Sequence, residues 1–197
     1  MGADEIIKAI ISAIIAIVVP AALKNFWPAT TQETSLPWLK WSVAGFVGGA
    51  LGGAMSGAMG LVAAGVGNWA VFGLSMGLLQ WFALRGYRPT AIWFILASVV
   101  GWMLFNLGGA WGWVVSGVAV GLLQYLGLTQ WKGAGWWILG NIIAWPIAGW
   151  AGIVVGTPLF KSNPILTWVL GWGVVGLVGA LILLAPLAAL KERDTSK

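Results

Sequence analysis

The sequence contains no cysteine and no histidine. This absence excludes disulfide bonds, thiolate nucleophiles and imidazole bases, and it removes the usual side-chain ligands of zinc, haem and iron–sulfur clusters. Charge is also scarce, because only 8% of the 197 residues are charged, whereas a soluble domain carries about a quarter. With 60% apolar residues and a mean hydropathy of +0.93, the chain has too little polar surface for a water-soluble enzyme. The composition therefore predicts an all-α, multi-pass membrane protein.

Acidic side chains are missing from the whole middle of the chain, since none lies between Glu33 and Glu192. Ion-coupled transport and cation selectivity usually rely on carboxylates inside the membrane. Catalysis needs a nucleophile with an acid–base partner or a metal, and the apolar segments offer only hydroxyl groups and amides. We therefore predict that the chain is not an enzyme and has no metal site.

Seven apolar segments, each near the roughly 20 residues that span a bilayer, make the chain a single integral-membrane domain. The first covers residues 6–23, and the other six form two-helix hairpins at 38–84, 91–128 and 135–190. Lys8 leaves two alternatives for the first segment, a spanning helix or a helix at the membrane interface. With seven spans, eight of the ten basic residues fall on one side. This bias predicts a cytoplasmic C-terminus and an N-terminus outside.

A shift of 44 residues aligns two stretches of the sequence. The aligned pairs include Trp69 with Trp113, Gly77-Leu-Leu-Gln80 with Gly121-Leu-Leu-Gln124, and Trp93 with Trp137. The repeating unit is a two-helix hairpin, so successive copies have the same orientation. We read the three hairpins as parallel repeats, of which the third is degenerate and has Ile182 where the other two have glutamine.

Glycine, with 30 copies, is concentrated in the segment that starts at Trp38. One row at four-residue spacing contains Gly45, Gly49, Gly53 and Gly57, and a flanking row contains Gly48, Gly52, Ser56 and Gly60. Such a face allows another backbone, a flat ring or a lipid chain to approach closely. Two readings remain open: tight helix packing within the chain, or a docking groove for a neighbouring subunit, a pigment or a lipid.

Most of the 16 tryptophans fall near segment ends, where indole rings form interfacial belts. Those nearer the proposed cytoplasmic interface are Trp27, Trp38, Trp41, Trp81, Trp93, Trp131, Trp136 and Trp137, and those nearer the other are Trp69, Trp111, Trp113 and Trp168. Trp102, Trp145 and Trp150 lie well inside their segments, where an indole N–H needs a partner. They can belong to the core or pack beside a bound apolar molecule.

A few uncharged polar residues interrupt the apolar segments. Gln80 and Gln124 occupy equivalent repeat positions and can hydrogen-bond between helices, at about 0.6 kcal/mol per bond, or ligate a chlorophyll magnesium or a lipid head group. Asn141 precedes Pro146 by five residues and can bond to backbone that the proline leaves unpaired. The candidate residues for lipid or pigment contact are thus Gln80, Gln124, Trp102, Trp145 and Asn141.

Arg85 and Arg88 form a short basic loop at the membrane surface. Each base adds about 1 kcal/mol of attraction to anionic lipid, so the loop is a candidate site for lipid head groups as well as a determinant of topology. The loop is too small to bind nucleic acid, and the net charge of +5 is spread over termini and loops. We predict membrane lipids and other membrane-protein subunits as partners, and no nucleic acid.

The stretch from Gly77 to Arg85, followed by Trp93 and Gly101-Trp102, resembles Gly/Trp-rich repeat membrane proteins with G-x-x-Q-W-x-x-L-R repeats, which are associated with photosynthetic bacteria. The likeness covers about residues 68–150. Its second copy departs from the pattern, with Tyr125 in place of tryptophan and Thr129 in place of arginine. The resemblance implies no activity. It does imply a bacterial inner or photosynthetic membrane, and a lipid, carotenoid or chlorophyll-type pigment as the ligand to look for.

Two function classes remain. The first is a non-catalytic scaffold or accessory subunit of a larger membrane complex, such as a photosynthetic or electron-transfer complex, that packs helices, lipids or pigments. The alternative is a passive channel or carrier for an uncharged or apolar solute, lined by amides and serines. The lack of reactive side chains favours the scaffold.

Overall fold

A computed structural model of the chain describes residues 38–60, 66–84, 92–160 and 166–192. These residues are almost entirely helical, as the composition predicts. The apolar segment at 6–23 and the basic loop with Arg85 and Arg88 lie outside the described residues.

Six α-helices follow one another along the described residues. In chain order they are α1 Trp38–Gly60, α2 Val66–Leu84, α3 Ile92–Met103, α4 Gly112–Leu126, α5 Gly135–Phe160 and α6 Trp172–Ala188. A 3-10 segment, Leu104–Trp111, connects α3 to α4, and a π-helical turn, Thr167–Gly171, leads into α6. Two short antiparallel strands, β1 Trp131–Lys132 and β2 Lys191–Glu192, pair the α4–α5 connection with the end of α6.

The backbone reverses direction at Gly109, which has a φ of +50°. A residue with a Cβ atom adopts such a positive φ only at a steric cost, which glycine avoids. After the reversal α4 runs back along α3, so that Gly101 lies against Val120 and Gly112 lies against Phe105. The two helices therefore form an antiparallel pair.

Three described stretches are long and apolar enough to cross a membrane: Ile92–Leu126, Gly135–Phe160 and Thr167–Ala188. The first of these contains the reversal at Gly109, so it consists of two antiparallel halves rather than one straight helix. Helices α1 and α2 are not among the three. Membrane association is thus supported by three stretches of the described chain and not by seven.

The six helices close into a ring, which we call the helix ring. Each helix packs on the next along the chain, and α6 returns to pack on α1. The closing contact includes a hydrogen bond of 2.8 Å from Trp41 Nε1 in α1 to the Ala180 carbonyl in α6. No sheet or separate layer is needed to bury the helix faces, since each helix has a neighbour on both sides.

Three close backbone contacts repeat around the helix ring. In each, a glycine of an even-numbered helix lies against a carbonyl of the following odd-numbered helix, with α1 following α6. The glycine and carbonyl residues are Gly73 and Ser98, Gly117 and Asn141, and Gly176 and Gly45. A Cβ atom at any of these glycines would overlap the carbonyl. The contacts arrange the helices as three similar pairs, α2–α3, α4–α5 and α6–α1, around a common axis. The α6–α1 pair follows this arrangement although its sequence is the least similar of the three.

These contacts align the third repeat with the first two. In this alignment the residue equivalent to the two glutamines lies one position after the predicted Ile182. Seven residues after the contact glycine come Gln80 in α2, Gln124 in α4 and Leu183 in α6. Leu183 is fully buried, whereas Ile182 is half-buried and lines a groove on the outer face. The prediction that Ile182 takes the place of the glutamine is therefore wrong. The third repeat has a different spacing from the second, so residue identities alone did not fix its register.

Candidate functional site

Side chains fill the interior of the helix ring in layers. At the end where β1 and β2 lie, Leu84, Leu128 and Leu187 are almost completely buried. They occupy equivalent positions, four residues after Gln80, Gln124 and Leu183. Bulky side chains fill the rest of the interior, and those with no more than 1% exposure include Trp41, Phe72, Phe94, Trp102, Trp137 and Trp145. The interior is thus a packed core.

Four side chains form a buried hydrogen-bonded group, the polar layer, one turn along the axis from the leucines. Its members are Gln80, Ser98, Gln124 and Trp137. Gln124 Nε2 donates to Gln80 Oε1 and to Ser98 Oγ, each at 3.0 Å. The Ser98 hydroxyl donates to Gln80 Oε1 at 3.4 Å, and Trp137 Nε1 donates to Gln124 Oε1 at 2.9 Å. The polar layer therefore joins α2, α3, α4 and α5.

The polar layer brings together the two glutamines that the repeat places at equivalent positions. Gln80 and Gln124 are 3% and 0% exposed, and their amide oxygens accept hydrogen bonds from donors within the chain. Interhelical bonding thus accounts for both side chains. Contact of either glutamine with a pigment or a lipid head group would require the helix ring to open.

Asn141 and Trp145 form a second buried pair, on α5. Trp145 Nε1 donates to Asn141 Oδ1 at 2.8 Å, and Asn141 Nδ2 donates to the Trp137 carbonyl at 2.9 Å. Pro146 lacks the N–H that would bond the carbonyl of Ile142, so Asn141 does not serve the backbone that the proline leaves unpaired. Instead Asn141 connects Trp145 to the residue that anchors one side of the polar layer.

Aromatic rings fill the interior beyond the polar layer. Trp69, Trp113 and Trp172 occupy equivalent positions in α2, α4 and α6, and their ring centroids are 5.3, 5.6 and 6.5 Å apart. Trp102 lies edge-to-face with Phe72 at 4.6 Å and with Trp145 at 4.9 Å. Such a pair contributes about 0.5–1.5 kcal/mol beyond its buried area. Trp102 and Trp145 therefore contact each other and belong to the core. The third deep tryptophan, Trp150, is 68% exposed on the outer face of α5.

As far as Gly57, both glycine rows of α1 are covered within the chain. The row from Gly45 to Gly57 lies against α6 and its π-helical turn, where added Cβ atoms would meet Ala180, Gly176, Trp172 and Trp168. Gly48 and Gly52 lie against Met76 and Phe72 of α2. The structure thus places this face in tight packing within the chain. A neighbouring subunit, pigment or lipid could reach it only by displacing α2 or α6.

The twelve tryptophans predicted to form interfacial belts differ in exposure: Trp27 lies outside the described residues, and Trp69, Trp81 and Trp113 are half-buried. Three of them are buried because the helix ring folds them inward: Trp41, Trp131 and Trp137. Four others are exposed. Trp38, Trp93 and Trp136 lie in the first turns of α1, α3 and α5, and Trp111 lies in the turn before α4. These exposed tryptophans mark the two ends of the ring, because α1, α3 and α5 start at one end and the α3–α4 turn lies at the other.

Two apolar grooves lie between α5 and α6. One, of about 330 Å³, is lined by residues that include Trp113, Gly152, Gly156 and Trp172. The other, of about 380 Å³, is lined by residues that include Trp136, Ile143, Ile182 and Pro186. No charged side chain lines either groove. Both grooves are open at the surface, whereas Gln80 and Gln124 are buried.

Sequence reasoning did not single out Ser98 and Trp137, which complete the polar layer. A signal for Ser98 exists, because Ser98 and Asn141 precede Trp102 and Trp145 by the same four residues. The 44-residue shift pairs Trp69 with Trp113, but the third member of that group, Trp172, falls at a different spacing.

Comparisons of the chain with protein-family models, with curated proteins and with solved structures find no match. The resemblance to Gly/Trp-rich repeat proteins therefore stays a prediction.

Proposed function

We propose that the chain is a non-catalytic integral-membrane scaffold or accessory subunit of a larger membrane complex. In this proposal the six helices of the ring and the 6–23 segment span the bilayer, with the N-terminus outside and the C-terminus in the cytoplasm. Other subunits, lipids or a pigment would bind to the outer face. The observation that supports the proposal most is the contrast between a packed, hydrogen-bonded interior and an apolar exterior.

The exterior is apolar on every helix of the ring. Exposed large apolar side chains include Leu39, Leu74, Leu96, Leu122, Ile153 and Leu181, one from each helix. Water-soluble monomers rarely expose continuous apolar surface on this scale. The buried amides and serines lie on the inside instead, among them Gln80, Gln124, Ser98 and Asn141. This distribution suits a helix bundle surrounded by lipid, where polar side chains find partners within the bundle.

The interior also supports a scaffold over a passive channel. A conduit needs a lining wide enough for its solute to pass. In the described ranges, Trp41, Trp102, Trp145 and Leu183 are fully buried inside the helix ring, where such a pathway would run.

Single cysteines will test the proposed topology, and the cysteine-free chain gives no background labelling. Ala110 and Gln130 are exposed residues at opposite ends of α4. We expect Ala110→Cys to react with a membrane-impermeant maleimide on intact cells, because the α3–α4 turn lies outside. Gln130→Cys should react only after permeabilisation. Labelling of both variants under the same condition would contradict a membrane-spanning α4, and a reversed pattern would invert the topology.

Purification in a mild detergent will test the scaffold role. We expect the chain to migrate on a native gel with at least one further membrane protein, and to give no solute flux when reconstituted alone in liposomes. An absorbance spectrum of the native band shows directly whether a pigment accompanies it. A lone, colourless monomer that conducts an uncharged solute through liposomes would instead establish the channel.

A further inference from the structure

The outer face of α5 exposes the longest apolar row among the described helices, which we call the α5 row. Its members are exposed and lie at intervals of three and four residues: Trp136, Leu139, Ile143, Ile147, Trp150 and Val154. Side chains at this spacing share one side of a helix. The first three also line the groove of about 380 Å³, together with residues of α6. The α5 row and the groove thus form one continuous apolar surface, about 27 Å long at the rise of an α-helix.

Trp150 makes this surface unusual for one that faces lipid alone. The side chain is largely exposed, and its indole N–H donates no hydrogen bond to another described residue. Trp150 lies 15 residues after the start of α5, which is about 22 Å along the helix and well inside the hydrocarbon of a spanning arrangement. Lipid tails offer no acceptor at that level. A covering helix that carries an acceptor there would satisfy the indole.

The chain enters the helix ring close to this surface. Helix α1 starts at the same end of the ring as α5, and near its start Trp41 bonds the Ala180 carbonyl of α6. A helix in the α5–α6 groove would lie two interhelical distances from α1, or about 20 Å. Residues 24–37 connect α1 to the first apolar segment, and a connection of this length extends to about 46 Å. The 6–23 segment can therefore reach the groove.

The 6–23 segment has a side that suits the α5 row. Its small residues recur at intervals of three and four, which brings them to one side of a helix: Ala9, Ser12, Ala13 and Ala16. Small residues allow membrane helices to approach closely, so the large side chains of the α5 row have room to pack against them. Residues 9–23 carry no charge, and no charged side chain lines the groove. The two surfaces are complementary in shape and polarity.

We propose that residues 6–23 form a helix that packs on the α5 row and in the groove, with Ser12 as the acceptor of the Trp150 indole N–H. This packing rests on the proposed topology, in which the segment runs antiparallel to α5. Ser12 lies 11 residues before Leu23, about 17 Å from the cytoplasmic end of the segment. Trp150 lies about 22 Å from that end and leans back toward the start of α5, as long side chains in helices do. The serine and the indole are therefore at the same level.

The covalent connection favours the chain's own segment over a second copy as the occupant. Short flexible linkers hold a tethered group at an effective concentration on the order of millimolar. A second copy of the chain has no such advantage, because it must diffuse to the α5 row through the membrane.

Disulfide formation in the full chain tests the packing, since the chain has no cysteine of its own. The test pair is Ala16→Cys with Ile143→Cys, and the matched control is Ala16→Cys with Val100→Cys. Ile143 and Val100 are both exposed and both lie eight residues after the start of their helices, but α3 lies across the ring from the groove. A protease site inserted within residues 28–34 leaves the two fragments joined only where a disulfide has formed. We expect several-fold more joined product from the test pair than from the control.

Equal yields from the two pairs, or no joined product from either, would overturn the proposal. A product of twice the chain's mass as the main result with Ile143→Cys alone would also overturn it, because a second copy would then cover the α5 row. Disulfides report the packing, whereas maleimide labelling of Ala110→Cys and Gln130→Cys reports the orientation in the membrane. The inference and the proposed topology can therefore fail separately.

Nuclear magnetic resonance of protein labelled with 15N-tryptophan tests the bond to Ser12. We expect Ser12→Ala to shift the Trp150 indole signal, because the indole N–H loses its acceptor. The matched control is the Trp136 indole, which is also exposed on α5 but lies near the start of the helix and should keep its native position. An unchanged Trp150 signal, or equal shifts of both indoles, would overturn the assignment of Ser12. This readout needs no cysteine and stands even where a cysteine pair does not fold.

Discussion

Gly176→Ala is expected to prevent the helix ring from closing. The Cβ atom of an alanine at this position would overlap the Gly45 carbonyl of α1 and crowd Gly49. Both neighbours are helix backbone, which cannot rotate away as a flexible side chain can. Overpacking of a tight core costs about 1–3 kcal/mol, and here the cost should reach at least the upper end because the whole α1–α6 contact must separate.

Unfolding in detergent by a denaturing surfactant measures this effect, with size-exclusion chromatography as a check on compactness. Gly156→Ala is the matched control, since it is also a buried helical glycine and its added Cβ atom would stand at an ordinary 3.4 Å from the Thr167 methyl group. The control should be neutral or slightly more stable, because alanine is favoured over glycine in helices by about 1 kcal/mol. Native stability in Gly176→Ala would contradict the closed ring.

Gln124→Leu is expected to destabilise the fold by about 1–3 kcal/mol, because it leaves the buried Trp137 indole N–H without its acceptor. The Gln80 amide oxygen and the Ser98 hydroxyl each lose one hydrogen bond but keep the bond between them. The same unfolding titration measures the loss. Gln130→Leu, at an exposed turn, is the matched control and should change the stability by less than about 0.5 kcal/mol.

A double substitution separates the hydrogen bonds from the packing of the polar layer. In Gln80→Leu with Gln124→Leu, the layer acquires leucine at all three equivalent positions, because α6 already has Leu183 there. The double variant should lose less stability than the sum of the two single variants, by at least about 0.5 kcal/mol, since the two amides bond each other. Strict additivity would show that the two glutamines act independently and would contradict the contact between them.

The helical class and the close-packed glycine face were predictable from the sequence, and the reasons are local. Low charge and long apolar segments favour membrane helices, and glycine at four-residue spacing puts small residues on one side of α1. Which helix covers that side was not predictable. The contact of Gly49 with Trp172 joins residues far apart in the chain, and helical periodicity describes one helix at a time.

The candidate site was predictable only where the repeat pointed to it. Equivalent positions predicted that Gln80 and Gln124 act alike, and their hydrogen bond is consistent with that prediction. Trp137 was read as an interfacial residue because it lies near the start of its segment, whereas its indole bonds Gln124 inside the ring. Position along a segment gives the depth of a side chain in the membrane, but not whether it faces lipid or a neighbouring helix.

Closure of the ring by α6 has a consequence for how a ribosome delivers this chain to the membrane. Trp172, the first residue of α6, is added 115 residues after Gly57, the last glycine of the α1 row. At about 5–20 residues per second, the interval is roughly 6–23 s. Throughout that time the glycine side of the nascent α1 has no helix from its own chain to cover it. We therefore expect the insertion machinery, or a helix of another protein, to shield α1 until synthesis is nearly complete.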